Sequence, residues 1–250
     1  MSGHSKWSTI KRKKGAVDAK RGKIFSKLAK EITVAARVGG GDPSANPRLR
    51  TVLLACRTAN MPSDNIERAI KKGTGELPGV SYEEARYEAY GPGGVALLID
   101  VLTDNKNRTL SEIRHLVNKL GGAMAEAGAV TWNFEPRGVI TVAKDNISEE
   151  EIFDRAIEAG AEDVDTEGDC YEILTASNQL HVVAEALESM DVKADEVRLN
   201  MEAKTLVDLD GKLISSNLRL LEEIEDHDDV QNVFSNLNIT DEAMAEAMGD

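Results

Sequence analysis

The chain changes sign near residue 76. Residues 1–75 carry 17 basic and 5 acidic side chains, and the remainder carries 13 basic and 39 acidic. A difference of that size across one boundary means two parts built for different surroundings. The hydrophobic period changes at the same place. Before it, apolar residues recur three and four apart, as in helices with one buried face. After it, short apolar runs alternate with helical stretches, as in strands joined by helices. The expected fold class is α+β: a basic N-terminal helical domain followed by two ferredoxin-like α/β domains, the third inserted in the second.

The first thirty residues are the most cationic, with eight lysines and two arginines against Asp18. Lys6, Lys11, Arg12, Lys13 and Lys14 form an arm with Trp7 among them, and Lys20, Arg21 and Lys23 continue it into the first helix. Such a segment suits a polyanion, because each phosphate it neutralises releases condensed counterions. Trp7 adds a ring on which a base could stack. The acidic remainder would be repelled by a phosphate backbone and would instead meet water or basic protein surfaces.

In chain order, a helix over 18–38 turns Ile24, Leu28, Ile32 and Ala35 inward and stops at Gly39-Gly40-Gly41. Asn46 caps a second helix that has Pro47 at its first position and Leu49, Val52, Leu53 and Cys56 on its inner face. Asp64 and Glu67 suggest the capping box of a third, ended by Gly73. Residues 74–81 read as a linker. Extended structure begins at Tyr87 and a buried strand spans Val95–Leu102. Thr109 with Glu112 suggests the cap of a helix to about Lys119. Alternation of Val130, Trp132 and Phe134 suggests a strand, and Pro136-Arg137-Gly138 a turn into Val139–Val142. From there the order is β-α-β-β-α-β, with Ser148 and Glu151 capping the first helix. A helix over Leu213–Glu225 and a strand over Val230–Ile239 then complete the interrupted unit. The domains are therefore expected at 1–76, at 77–136 with 206–239, and at 137–205 as the insertion, with an acidic tail at 240–250.

Few motifs carry chemistry. Gly91-Pro92-Gly93-Gly94 precedes a strand, so it is a turn; phosphate-binding glycines lie between a strand and the helix that follows. Lys106 and Arg108 do lie at such a junction, and two readings stand there: a second phosphate contact, or a capped loop with two exposed cations. Asp208-Leu209-Asp210-Gly211 lacks the later ligands of a calcium loop and reads as a turn. His227, among Glu225, Asp226, Asp228 and Asp229, reads as a solvated helix end, and His181 as a packed histidine. No nucleophile stands at readable spacing from a base, so no enzyme, cofactor, metal or small-molecule substrate is expected. Cys56 and Cys170 read as buried thiols of a reducing compartment. No apolar run is long enough to span a membrane, and the expected location is cytoplasmic.

Several stretches resemble the YebC/PmpR family in collinear order. They are Gly3-His4-Ser5-Lys6-Trp7, Asp18 to Phe25, Gly39 to Pro43, Asn46 to Arg50, Tyr90 to Gly94, Asp104 to Thr109 and Asp228 to Val233. The resemblance implies a helical domain and two α/β domains, one inserted in the other. It implies no catalytic residue. Members are described as probable transcriptional regulators that bind DNA. Related proteins, including the mitochondrial translational activator of cytochrome c oxidase, act in translation, and bacterial members are linked to ribosomes stalled at proline-rich stretches. The expected function is a non-enzymatic nucleic-acid-binding regulator of gene expression. Its partner is DNA or, in the alternative reading of a ribosome-associated translation factor, ribosomal RNA.

Overall fold

The computed structural model describes residues 18–239. Three helices come first: α1 (Asp18–Gly39), α2 (Pro47–Thr58) and α3 (Ser63–Thr74). They bury Ile32, Ala35, Leu49, Val52, Cys56, Met61 and Ala69, with Phe25, Leu28 and Ala29 at the margin. Ile24, expected in that stripe, is instead 47% exposed, because the inward face of the first turns passes through Phe25. Asn46 caps α2 as expected, accepting from Leu49 N at 3.1 Å. Its amide also donates to Ala35 O at 2.9 Å and Gly40 O at 2.8 Å, which ties the end of α1 to the start of α2. The third helix departs from expectation at both ends. Pro62 precedes it without a side-chain cap, and it runs through Gly73 to stop before Gly75. Gly73 marks a close approach: a Cβ there would lie 2.5 Å from Thr33 O and 2.7 Å from Ala36 Cβ of α1.

The period then changes to β. Strands β1 (Glu83–Tyr90) and β2 (Ala96–Thr103) form an antiparallel hairpin across the turn at Pro92–Gly94. Helix α4 (Lys106–Lys119) and the short β3 (Ala123–Met124) follow. Next come β4 (Phe134–Ala143), α5 (Glu149–Glu158), β5 (Asp163–Asp165), β6 (Cys170–Ala176), α6 (Leu180–Ser189) and β7 (Glu196–Ala203). Helix α7 (Gly211–Glu225) and β8 (Val230–Ser235) end the described chain.

These elements make two four-stranded sheets. One has the order β3-β1-β2-β8, with α4 and α7 supplying Ile113, Val117, Leu220, Leu221 and Ile224 to the core formed by Leu97, Ile99 and Val101. Its first two strands join directly, with no helix between them. The other has the order β5-β6-β4-β7 and the chain order β-α-β-β-α-β, which puts its first and third strands in the centre. Ile140, Val142 and Ile173 of that sheet meet Ile152, Ala156, Val183 and Leu187 of α5 and α6. Residues 80–135 and 202–239 form one compact unit, and residues 18–79 with 136–201 form another.

Three local expectations are corrected. The strand read at Val130–Phe134 is a single 3-10 turn over Thr131–Asn133: Val130 and Phe134 still turn inward, but Trp132 is 67% exposed. Pro136-Arg137-Gly138 is not a turn but part of β4. Its ladder to β6 starts at Arg137, and Pro136 lies just before it. Cys170 is partly exposed, unlike Cys56. The insertion is closed by Asn133: its Oδ1 accepts from Thr205 N at 2.9 Å and its Nδ2 donates to Thr205 O at 3.0 Å.

Candidate nucleic-acid interface

Lys6, Trp7, Lys11, Arg12, Lys13 and Lys14 lie outside the described residues. Lys20 belongs to the first turn of α1, and Arg21 and Lys23 are exposed one turn on. Residues 18–79 as a whole hold twelve basic and six acidic side chains. Some of those cations serve the fold. Arg48 donates to Glu31 Oε1 through Nε at 2.9 Å and Nη2 at 2.7 Å, which links α2 to α1. Lys71 pairs with Glu67 at 2.6 Å along α3. Arg57, Arg68 and Lys72 are exposed and have no ion-pair partner among the described residues. The packing of the three helices, not local sequence, decides which of these cations are left over.

Within the same unit the basic helices meet the acidic insertion. Residues 136–201 carry seventeen acidic and five basic side chains. Arg50 Nη2 lies 2.6 Å from Glu185, Thr58 Oγ1 donates to Asp195 O at 3.0 Å, and Leu54 packs on the insertion's core. His181 stands 3.5 Å from Thr51 Oγ1. Burial, and then the charge of Arg50, push its pKa down. A cleft of about 600 Å³ opens here, lined by Arg50, Arg57, Glu185, Glu188, Lys193 and Val197 among others. Its charges are mixed, so it has no single-sign field to attract an anion.

The loop before α4 gives its two cations internal partners. Asn105, not Thr109, caps the helix, accepting from Arg108 N at 3.1 Å. Lys106 Nζ lies 2.7 Å from Glu83 Oε2, and this bond raises the lysine pKa while lowering that of Glu83. Arg108 Nη2 donates to Asp104 Oδ1 and Asp229 Oδ2, each at 2.8 Å. Asp229 is buried and also accepts from Thr109 Oγ1 at 2.7 Å and Thr103 Oγ1 at 3.2 Å, which fastens α4 to β2. Three carboxylates thus surround two cations, so a phosphate here would compete with bonds already made. Glu83 and Asp229 are remote from Lys106 and Arg108 in sequence, so no local signal announced them. His227 Nδ1 accepts from Asp229 N at 3.1 Å, so its Nε2 carries the proton toward Glu112 at 2.9 Å. Asp210 of the turn read at 208–211 caps α7, accepting from Leu213 N at 3.0 Å.

Residues 125–133 cross the sheet face opposite the helices, and Glu88 holds them there. Its buried carboxylate accepts from Gly128 N at 2.6 Å, Val130 N at 2.7 Å and Thr131 N at 3.0 Å. Burial raises its pKa, but the backbone donors outweigh that and leave it below the usual glutamate range. Gly128 has φ 88°, a conformation that suits glycine and lets the loop turn its N–H groups onto the carboxylate. Ala129 O accepts from both Trp132 Nε1 at 2.9 Å and Tyr90 Oη at 3.2 Å.

Comparison with known proteins gives this arrangement its context. A family model described as the TACO1/YebC protein N-terminal domain matches residues 5–76, and one described as the TACO1/YebC second and third domain matches residues 82–237. The chain belongs to the TACO1/YebC family. A probable transcriptional regulatory protein of Desulfotalea psychrophila is 56% identical over 245 residues, 98% of each chain. Another of Geobacter sulfurreducens is 54% identical over 99% of this chain and 100% of its own. The solved structure of a conserved hypothetical protein from Aquifex aeolicus is similar, with a TM-score of 0.84 at 45% identity over 90% of this chain and 93% of its own.

The family match spans the arm as well as the two α/β domains, so the cationic residues from Lys6 onward lie within it. Among the described residues of this family member, no group of three His, Cys, Asp or Glu side chains is placed to hold a metal ion. No described helix is long and apolar enough to cross a membrane.

Proposed function

We propose that this TACO1/YebC protein is a non-enzymatic regulator of gene expression that binds nucleic acid through its N-terminal cations. Lys6, Lys11, Arg12, Lys13 and Lys14 meet phosphates, Trp7 stacks on a base, and Lys20, Arg21 and Lys23 extend the track along α1. The observation that carries this reading is the segregation of charge, 17 basic against 5 acidic side chains in residues 1–75 and 13 against 39 in the rest. A cationic end gains affinity from counterion release, while the acidic insertion, with seventeen acidic and five basic side chains, resists lying on phosphate. The relatives' names as probable transcriptional regulatory proteins support DNA as the target. Lys106 and Arg108 stay outside the proposed interface, since their own carboxylates hold them.

The test is sedimentation of lysate through a gradient, for the full chain and for a variant with Lys11, Arg12, Lys13 and Lys14 changed to alanine. The full chain is expected to enrich promoter DNA away from ribosomal particles, and the variant to lose that enrichment. Arm-dependent migration with ribosomal subunits would replace DNA by ribosomal RNA as the target. Equal behaviour of the two proteins would end the assignment to the arm.

A further inference from the structure

We infer that Tyr90 and Trp132 form a fixed stacking platform for an unpaired base of a single-stranded nucleic acid, which rests on the nucleic-acid function proposed above. Trp132 is 67% exposed and Tyr90 39%, an unusual cost in a chain with ten aromatic side chains, two of them tryptophan. Neither ring is loosely held. Tyr90 sits on β1, two residues from Glu88 and on the same face. Glu88 fixes the backbone on both sides of Ala129, and Ala129 O receives both ring tips. A buried carboxylate with three backbone donors makes a rigid mount, because breaking any one bond exposes charge to an apolar setting.

The chemistry of the mount selects its occupant. With the phenol O–H and indole N–H both donated internally, the rings offer a partner their faces and no polar tip. Recognition by ring face alone is base stacking, which tolerates any base. It complements phosphate contacts, which carry no sequence information either. A protein partner would need a wider apolar patch. The other large apolar side chains exposed among the described residues of this unit are Val80 and Leu206, both near its chain boundaries. A duplex keeps its bases stacked on each other, so the platform takes single strands.

The experiment measures affinity of the full chain and of Trp132→Ala and Trp132→Phe for labelled oligothymidylate and for a duplex, across a salt series. Trp132→Ala should weaken oligothymidylate binding roughly five- to hundredfold. Its salt slope should stay unchanged, as should its affinity for the duplex. Trp132→Phe, which keeps a ring, should recover most of the loss. Salt-dependent binding that Trp132→Ala leaves intact would overturn the platform and spare the arm. A parent chain that binds neither strand nor duplex would overturn both. A Trp132→Ala chain that binds normally but loses self-association in sedimentation velocity would show that a second copy covers the rings.

Discussion

At Glu88 burial and hydrogen bonding act in opposite directions on one carboxylate. Desolvation raises its pKa and the donors from Val130, Gly128 and Thr131 lower it, with a net fall. A carboxylate whose folded pKa is depressed contributes stability in full above its unfolded value, and that contribution fades as pH falls through the folded one. Glu88→Gln should therefore lower thermal stability at neutral pH. The gap to the parent should close as pH falls below the ordinary glutamate range, about 4.3. Melting curves that stay equally far apart from neutral pH to pH 3 would contradict the ionised clamp. Some residues with local partners were legible: Asn46 and Ser148 cap their helices as their sequence neighbours suggest, whereas Asn105 was masked by the competing pair Thr109 and Glu112. Glu88, Asn133 and Asp229 were not, because each bonds a backbone or side chain some 40 or more positions away.

Elements were legible where hydrophobic period decided them and misread where a single approach did. The three N-terminal helices, both α/β sheets and the interrupted order of the second domain follow from runs of apolar residues. The end of α3 did not follow, because Gly73 looks like a stop but serves as a contact. Adding its Cβ puts carbon 2.5 Å from Thr33 O, well inside contact distance, and α1 must move. Gly73→Ala should cost about 1–3 kcal/mol, read as a lower melting temperature of the helical domain. A variant as stable as the parent would mean that the crossing has slack. The same lesson applies at Trp132, where alternation resembled a strand and a buried carboxylate imposed a 3-10 turn instead.

For the whole molecule, charge segregation is legible from composition, and the structure shows part of its purpose to be internal. Arg50 reaches Glu185 of the acidic insertion, and Arg48 reaches Glu31. The first thirty residues, with ten cations against Asp18, keep the strongest claim on an external polyanion. If about six to eight of them meet phosphates, binding must depend steeply on ionic strength. The most direct measurement is the affinity of the full chain for nucleic acid as salt is raised. A fall of roughly a thousandfold or more between about 50 and 200 mM is expected, with a clearly shallower slope when Lys11, Arg12, Lys13 and Lys14 are alanine. An affinity that stays level across that range, or a slope that the four substitutions leave untouched, would contradict the account.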